Sequence, residues 1–189
     1  ELRRTCRSEI YSYWRHGGEM ERECRPLDEL PGSSETDLLV YHMSIGHPIV
    51  GSVVTSRSEP LAMCYHNITP AKHYEDFNPE FAASLRDGRA ELACLADRVC
   101  IALADSEYNA SELRDLGYVD VRVAPAGLDP FRLTKTGLSP AMTGEMTERF
   151  PNGYVIAVGQ LLPHKRIEQV IETLHLMNST HWRNVGLVL

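Results

Sequence analysis

Tyr154-Val155-Ile156-Ala157-Val158-Gly159-Gln160-Leu161-Leu162-Pro163-His164-Lys165 runs from a hydrophobic strand through a glycine turn to a lysine. Ile167, Val170, Ile171, Leu174 and Met177 then recur at a helical period, which predicts a helix over about 166–177 and a further strand over 185–189. A strand that feeds a helix and returns as a second strand is the repeating unit of a parallel α/β sheet. It sets a cation and free backbone N–H groups at the C-terminal end of a strand, where such sheets hold anions. One unit of about 40 residues is too small to bury a core of its own. The expectation is that residues 150–189 begin a second domain of a larger protein. Packing on residues 1–149 or on a second copy would be ways to cover its sheet edge.

Upstream, the same alternation recurs. Strands are expected over Leu38–Met43, Leu61–Tyr65, Cys100–Ala104 and Val119–Ala124. Asn78-Pro79 opens a long helix with a capping residue followed by proline, and Phe81, Leu85, Leu92, Leu95 and Val99 mark its buried side. Ser106 caps a short helix that ends near Gly117, and Ser139-Pro140 begins another over 140–149. Leu2, Cys6, Ile10 and Tyr13 suggest an amphipathic helix over 1–16, and residues 19–36 read as a connection. The fold class expected is α/β: a Rossmann-like parallel-sheet domain, then the truncated start of a second Rossmann-like domain.

The chain has 189 residues, 43% of them hydrophobic and 24% charged, which fits a globular protein. A formal charge of -7 argues against nucleic acid as a partner, because duplex binding needs cations that displace counterions. Five cysteines, none in a CxxC pair, are read as free thiols of a reducing compartment. No apolar run approaches the roughly 20 residues that span a bilayer.

Lys165 is the leading candidate for chemistry: a fixed ammonium beside helix N-terminal amides can hold an anion, or it is a solvated lysine at the first turn of a helix. Gly159 leaves room for a phosphate at the strand end, or is an ordinary turn glycine. His66 directly follows a strand and can hydrogen-bond a hydroxyl, or be satisfied by neighbouring backbone. Asn67 and Thr69 shape its loop, in which Pro70 fixes a turn. His42, Ser44 and Gly46 lie at an equivalent strand end and Ser106 and Glu107 at the next, with Ser106 first of all a helix cap. Asp105 and Glu107 are carboxylates that no shared helical face pairs as acid and base. His42, His47, His66 and His73 lack a compact metal-ligand spacing, so no metal is expected. Neither a GxSxG elbow nor a GxxxxGK[ST] loop is present.

Several segments in this order resemble retaining glycosyltransferases of the GT-B type, the glycosyl transferases of group 1 or family 4. They are Arg25-Pro26-Leu27-Asp28-Glu29-Leu30, Tyr41-His42-Met43-Ser44-Ile45-Gly46, Tyr65-His66-Asn67-Ile68-Thr69-Pro70, Ala104-Asp105-Ser106-Glu107-Tyr108-Asn109 and Val158 through Lys165. The resemblance implies two Rossmann-like domains that face across a cleft. Residues 1–130 would be a partial acceptor-side domain, 131–149 a connection, and 150–189 the beginning of the nucleotide-sugar domain. It implies sugar transfer from a nucleotide-diphosphate sugar to a carbohydrate or other hydroxyl acceptor, with retention and with no cofactor. His66 would be catalytic, and Gly159, Gln160 and Lys165 would hold the donor diphosphate. His42, Ser44, Gly46, Asn67, Ser106 and Glu107 are the acceptor- or sugar-side candidates.

Gln160 departs from the family pattern, where arginine is common; glutamine donates hydrogen bonds but supplies no charge. The resemblance further implies a cytoplasmic protein, peripheral to the inner face of the membrane when intact. A homodimer through an exposed sheet or domain surface is also considered. Two alternatives stand beside the transferase: a non-catalytic sugar- or anion-binding α/β protein, and a nucleotide-sugar epimerase fragment. The expectation for residues 1–189 alone is little or no transfer.

Overall fold

The computed structural model describes residues 5–14, 18, 22–125, 127, 139–180 and 184–189. The chain divides into two compact units, one of Glu1–Pro70 with Ala83–Pro125, the other of Ala71–Ala82 with Ala126–Leu189. The segments 128–138 and 1–4, on which part of the expected N-terminal helix and connecting region falls, lie outside the described residues.

The first unit opens with a correction. Within the range expected to be helical, β1 (Ile10–Ser12) pairs in parallel with β2 (Cys24–Pro26). The Ser12 hydroxyl donates to the Trp14 carbonyl at 2.6 Å, a local bond that competes with helix. Beyond these strands come β3 (Leu39–Met43), α1 (Pro48–Ser56), β4 (Leu61–Tyr65), α2 (Pro79–Cys94), β5 (Val99–Ala104), α3 (Glu107–Asp115) and β6 (Val121–Val123). β3 to β6 form one parallel sheet in chain order. Successive right-handed connections that always step the same way lay their helices on one face. The packing agrees. A Cβ on Gly46 would collide with the Gly88 backbone, so these two glycines let the segment before α1 press directly against α2. Arg89 of α2 reaches Glu112 of α3 at 3.1 Å.

The covered face holds the core. Tyr41, Met43, Leu61, Met63, Tyr65, Ala102 and Ala104 are all buried there. The opposite face carries Val40, His42, Cys64, Ile101 and Leu103, exposed or half-buried. One irregularity sets which residues share a face. Leu61 pairs with Val99 but Ala62 pairs with Ile101, so Cys100 is an extra residue, a bulge in β5. From there Ala102 and Ala104 align with Met63 and Tyr65. In an unbulged register the residue beside His66 would be Ala104; the bulge makes it Asp105.

At the opposite, N-terminal ends of the strands, Glu59 is buried and accepts from the Arg57 guanidinium. Arg57 also donates to Pro31 O at 2.8 Å, and Arg98 donates to Arg57 O and Glu59 O at 2.6 and 2.7 Å. Burial opposes the charge on Glu59, but the bonds from Arg57 prevail and hold its carboxyl at about 2.

In the second unit, α4 (Pro140–Arg149) is capped by Ser139, which accepts from the Met142 N–H. β7 (Tyr154–Ile156), α5 (Ile167–Thr180) and β8 (Gly186–Val188) follow, with β7 and β8 a parallel pair. Asn178 ties the end of α5 to β8, donating to Val185 O at 2.9 Å and accepting from Val185 N at 3.0 Å. Of the apolar stripe expected on α5, Leu174 is buried but Ile171 is 49% exposed, since two strands offer too narrow a surface to cover it.

Candidate functional site

His42 lies one residue before the end of β3, and His66 and Asp105 are the first residues beyond β4 and β5. Three adjacent parallel strands thereby deliver three polar side chains to one place at their C-terminal edge, the usual position of a ligand on an open α/β sheet. The contacts are direct. His66 Nδ1 lies 2.9 Å from Asp105 Oδ2, and His66 Nε2 lies 3.0 Å from His42 Nδ1. The two imidazoles are nearly coplanar in orientation, 12° apart with centroids at 5.3 Å. His66 and Asp105 each keep about a third of their side-chain surface open to solvent, at 34% and 33%.

The loop that carries His66 is braced from below. Asn67 adopts a left-handed backbone at φ +71°, which asparagine tolerates, and turns the chain sharply after β4. Buried Tyr65 donates its hydroxyl to Glu112 at 3.0 Å and accepts from the Ile68 N–H at 3.2 Å. Arg89 joins Glu112 to the Ile68 carbonyl at 2.5 Å. Burial, then the neighbouring Glu112 charge, push the Tyr65 phenol up to about 12, so it is a fixed donor. A second brace lies under β3, where Glu91 accepts from Tyr41 Oη at 2.9 Å and from the His47 N–H at 3.1 Å.

His42 ionises less readily than an ordinary histidine. Burial is the first cause and the adjacent His66 the second, with Asp105 opposing both. Cys64, the partner of His42 in the β3–β4 ladder, has its thiol pushed up by burial and then by Asp105.

Other sequence candidates occupy separate places. Ser44 is exposed just after β3, and Gly46 serves the close approach to Gly88. Among the described residues the buried Asn67 Oδ1 has no hydrogen-bond partner. Ser106 caps α3 by accepting from Asn109 N at 3.2 Å, and Glu107 pairs with Arg114 at 2.7 Å. Gly159, Gln160 and Lys165 are exposed in the second unit. Gly159 has open space around a built Cβ. Lys165 ends a short 3-10 turn, Pro163–Lys165, and Arg166 follows in the left-handed region at φ +51° before α5 begins. His164 stands next to Lys165 and meets Tyr74 Oη at 3.1 Å; burial and then the Lys165 charge lower its pKa.

Asp105 was visible as a strand-end carboxylate, but a search for carboxylates on a shared helical face passes it over. Its partner is a histidine on the neighbouring strand. Among the described residues no group of three or more His, Cys, Asp or Glu side chains could hold a metal ion. His66 illustrates why: both its ring nitrogens are engaged, one with each neighbour, and do not converge on a common point. A cleft of about 320 Å³ beside β1 and β2 is lined by none of the expected site residues; there Arg25 pairs with Glu9 at 3.5 Å. Among the described residues no helix is long and apolar enough to cross a membrane.

No family model, no curated protein and no solved structure matches this chain. The architecture is Rossmann-like, consistent with the GT-B type of fold and with nucleotide-binding α/β proteins in general.

Proposed function

We propose that this chain is part of the acceptor-side domain, with the beginning of the donor-side domain, of a retaining glycosyltransferase that uses a nucleotide-diphosphate sugar. The observation that carries the reading is the His42–His66–Asp105 chain at the C-terminal edge of β3, β4 and β5. Such an edge reads hydroxyls well, because an imidazole can donate or accept and its orientation is fixed by a neighbour. His42, whose Nε2 is the ring nitrogen that the chain leaves open, meets the transferred sugar or the acceptor hydroxyl, and His66, engaged at both ring nitrogens, holds it in place. Asn67 extends the polar rim, with Ser44 beyond it. Lys165, with Gln160 and the space beside Gly159, receives the diphosphate and offsets its charge as the glycosidic bond breaks. The whole protein acts in the cytoplasm on a carbohydrate or other hydroxyl acceptor.

A second reading, a non-catalytic sugar- or anion-binding protein, is favoured by one observation. Among the described residues of the second unit the sheet has two strands, β7 and β8, with Tyr154 46% and Ile156 60% exposed, and in the loop beyond β7 Val158 is 90% and Leu161 74% exposed. Donor and acceptor must be held together for transfer, so an incomplete donor side removes preorganisation. The test is to incubate the chain, and any longer natural form of it, with a panel of nucleotide sugars and hydroxyl acceptors. Acceptor-dependent release of nucleoside diphosphate with retained anomeric configuration supports the transferase. Saturable sugar binding without turnover in every form supports the second reading, and an inverted product refutes the retaining mechanism.

A further inference from the structure

We propose that Asp105, His66 and His42 form a directional proton relay in which Asp105 sets the tautomer of both rings and His42 Nε2 is the proton-accepting atom. The logic is that of donors and acceptors. An ionised carboxylate only accepts, so the 2.9 Å contact with Asp105 places a proton on His66 Nδ1. In the neutral ring His66 Nε2 then carries the lone pair. The 3.0 Å contact from that nitrogen to His42 Nδ1 requires His42 to donate, which leaves the lone pair of His42 on Nε2. One carboxylate thus dictates the protonation pattern of a histidine on the next strand and of another one strand further.

His42 is the exposed end of this chain, and its surroundings suit a base that stays neutral until it reacts. Burial and the next imidazole hold its pKa below the ordinary histidine value, while Asp105 acts the other way. The other titratable group facing it, Cys64 in β4, is a thiol pushed upward and so remains protonated, a poor competitor for the incoming proton.

For the chemical step the inference rests on the transferase reading. The acceptor oxygen forms a bond to the anomeric carbon of the donor and gives its proton to His42 Nε2. The bond from that carbon to the diphosphate oxygen breaks, and its electron pair leaves with the nucleoside diphosphate. The Nδ1 proton of His42 passes to His66 Nε2 across the 3.0 Å contact. Positive charge then rests on His66 beside the Asp105 carboxylate rather than at the reacting centre. His42 is the catalytic residue in this account, and Asp105 is a positioning residue that acts through His66.

The tautomers can be read without any substrate. Ring-nitrogen NMR of the full chain labelled with 15N-histidine, at mildly alkaline pH, is expected to show both His42 and His66 protonated on Nδ1. Free imidazole side chains prefer Nε2–H, so this pattern is diagnostic. Asp105→Ala should return both rings to Nε2–H, whereas Asp105→Asn, whose side-chain oxygen still accepts, should keep Nδ1–H on both. His66→Ala should release His42 alone and serves if Asp105→Ala does not fold. A native His42 protonated on Nε2 overturns the relay, as does a folded Asp105→Ala variant in which His42 is unchanged. The expected tautomers in a protein that binds neither sugar nor nucleotide sugar would sink the transferase reading and leave the relay standing.

Discussion

β4 and β7 are both short apolar strands that end in a polar loop, yet their surroundings are opposite. Tyr65, Met63 and Leu61 of β4 are 0% exposed, because the strand lies inside a four-stranded sheet under a layer of three helices. Tyr154 and Ile156 of β7 are 46% and 60% exposed, because β7 has one partner strand, β8, among the described residues. Residue type specifies that each segment forms a strand. The number of neighbours specifies whether the strand acquires a core, and with the core a rigid edge on which a site can be held.

The strongest way to break this contrast is a matched pair of tyrosines. Tyr65→Ala removes a fully buried ring and two hydrogen bonds and is expected to cost about 3–5 kcal/mol in denaturant unfolding. Tyr154→Ala, whose ring is half-exposed and meets Phe150 at 5.6 Å, should cost less than about 1 kcal/mol. Equal losses would show that β7 is as well covered as β4.

A second substitution tests the other end of the first sheet. Glu59→Ala strands Arg57 in a buried setting and should destabilise by about 3 kcal/mol. Because the folded pKa of Glu59 lies below its unfolded value, its contribution is fully present above 4.5 and is lost as pH falls through the window down to about 2. Stability followed by circular dichroism against pH should therefore drop in that window, and the drop should shrink in the variant.

These two regions also show what was legible in advance. Leu61–Tyr65 and Pro140–Arg149 were read to the residue, because apolar runs and a Ser-Pro start are local signals. α1 is hard to see in the sequence, because Val50, Val53, Val54 and Thr55 are β-branched and weak helix formers; Pro48 at its first turn is the local signal that marks it. β1 replaced an expected helix, because its pairing with Cys24–Pro26 is a contact between segments that periodicity cannot report. His66 and His42 were both named from their strand-end positions. Asp105 has no carboxylate partner on a shared helical face, which is all that spacing reports; its partnership with His66 depends on register, and the bulge at Cys100 that sets the register has no sequence signature.

Two smaller effects sharpen the difference between the units in function. Lys165→Ala should leave stability unchanged within about 0.5 kcal/mol, since the side chain is exposed. It should weaken nucleoside diphosphate binding by about 1.5–3 kcal/mol, on the order of ten- to hundredfold, in calorimetric titration. The smallest effect belongs to His42. Its folded pKa is lowered, so the unfolded chain takes up a proton first as pH falls below 6.5, and stability declines in that window. His42→Gln should flatten that part of the pH–stability curve without moving the Glu59 window.

The central claim, the proposed reading of sugar hydroxyls at the C-terminal edge of β3–β5 and, separately, of a diphosphate at the 159–165 loop, is tested most directly by ligand titration watched residue by residue. Uniformly 15N-labelled protein would be titrated with several nucleotide-diphosphate sugars while the amide and imidazole resonances are followed. The account predicts saturable shifts at His42, His66 and Asn67 and at Gly159, Gln160 and Lys165, with the first group lost in His66→Ala and the second in Lys165→Ala. No saturable response to any sugar nucleotide, or a response confined to the Arg22–Arg25 cleft, would contradict it.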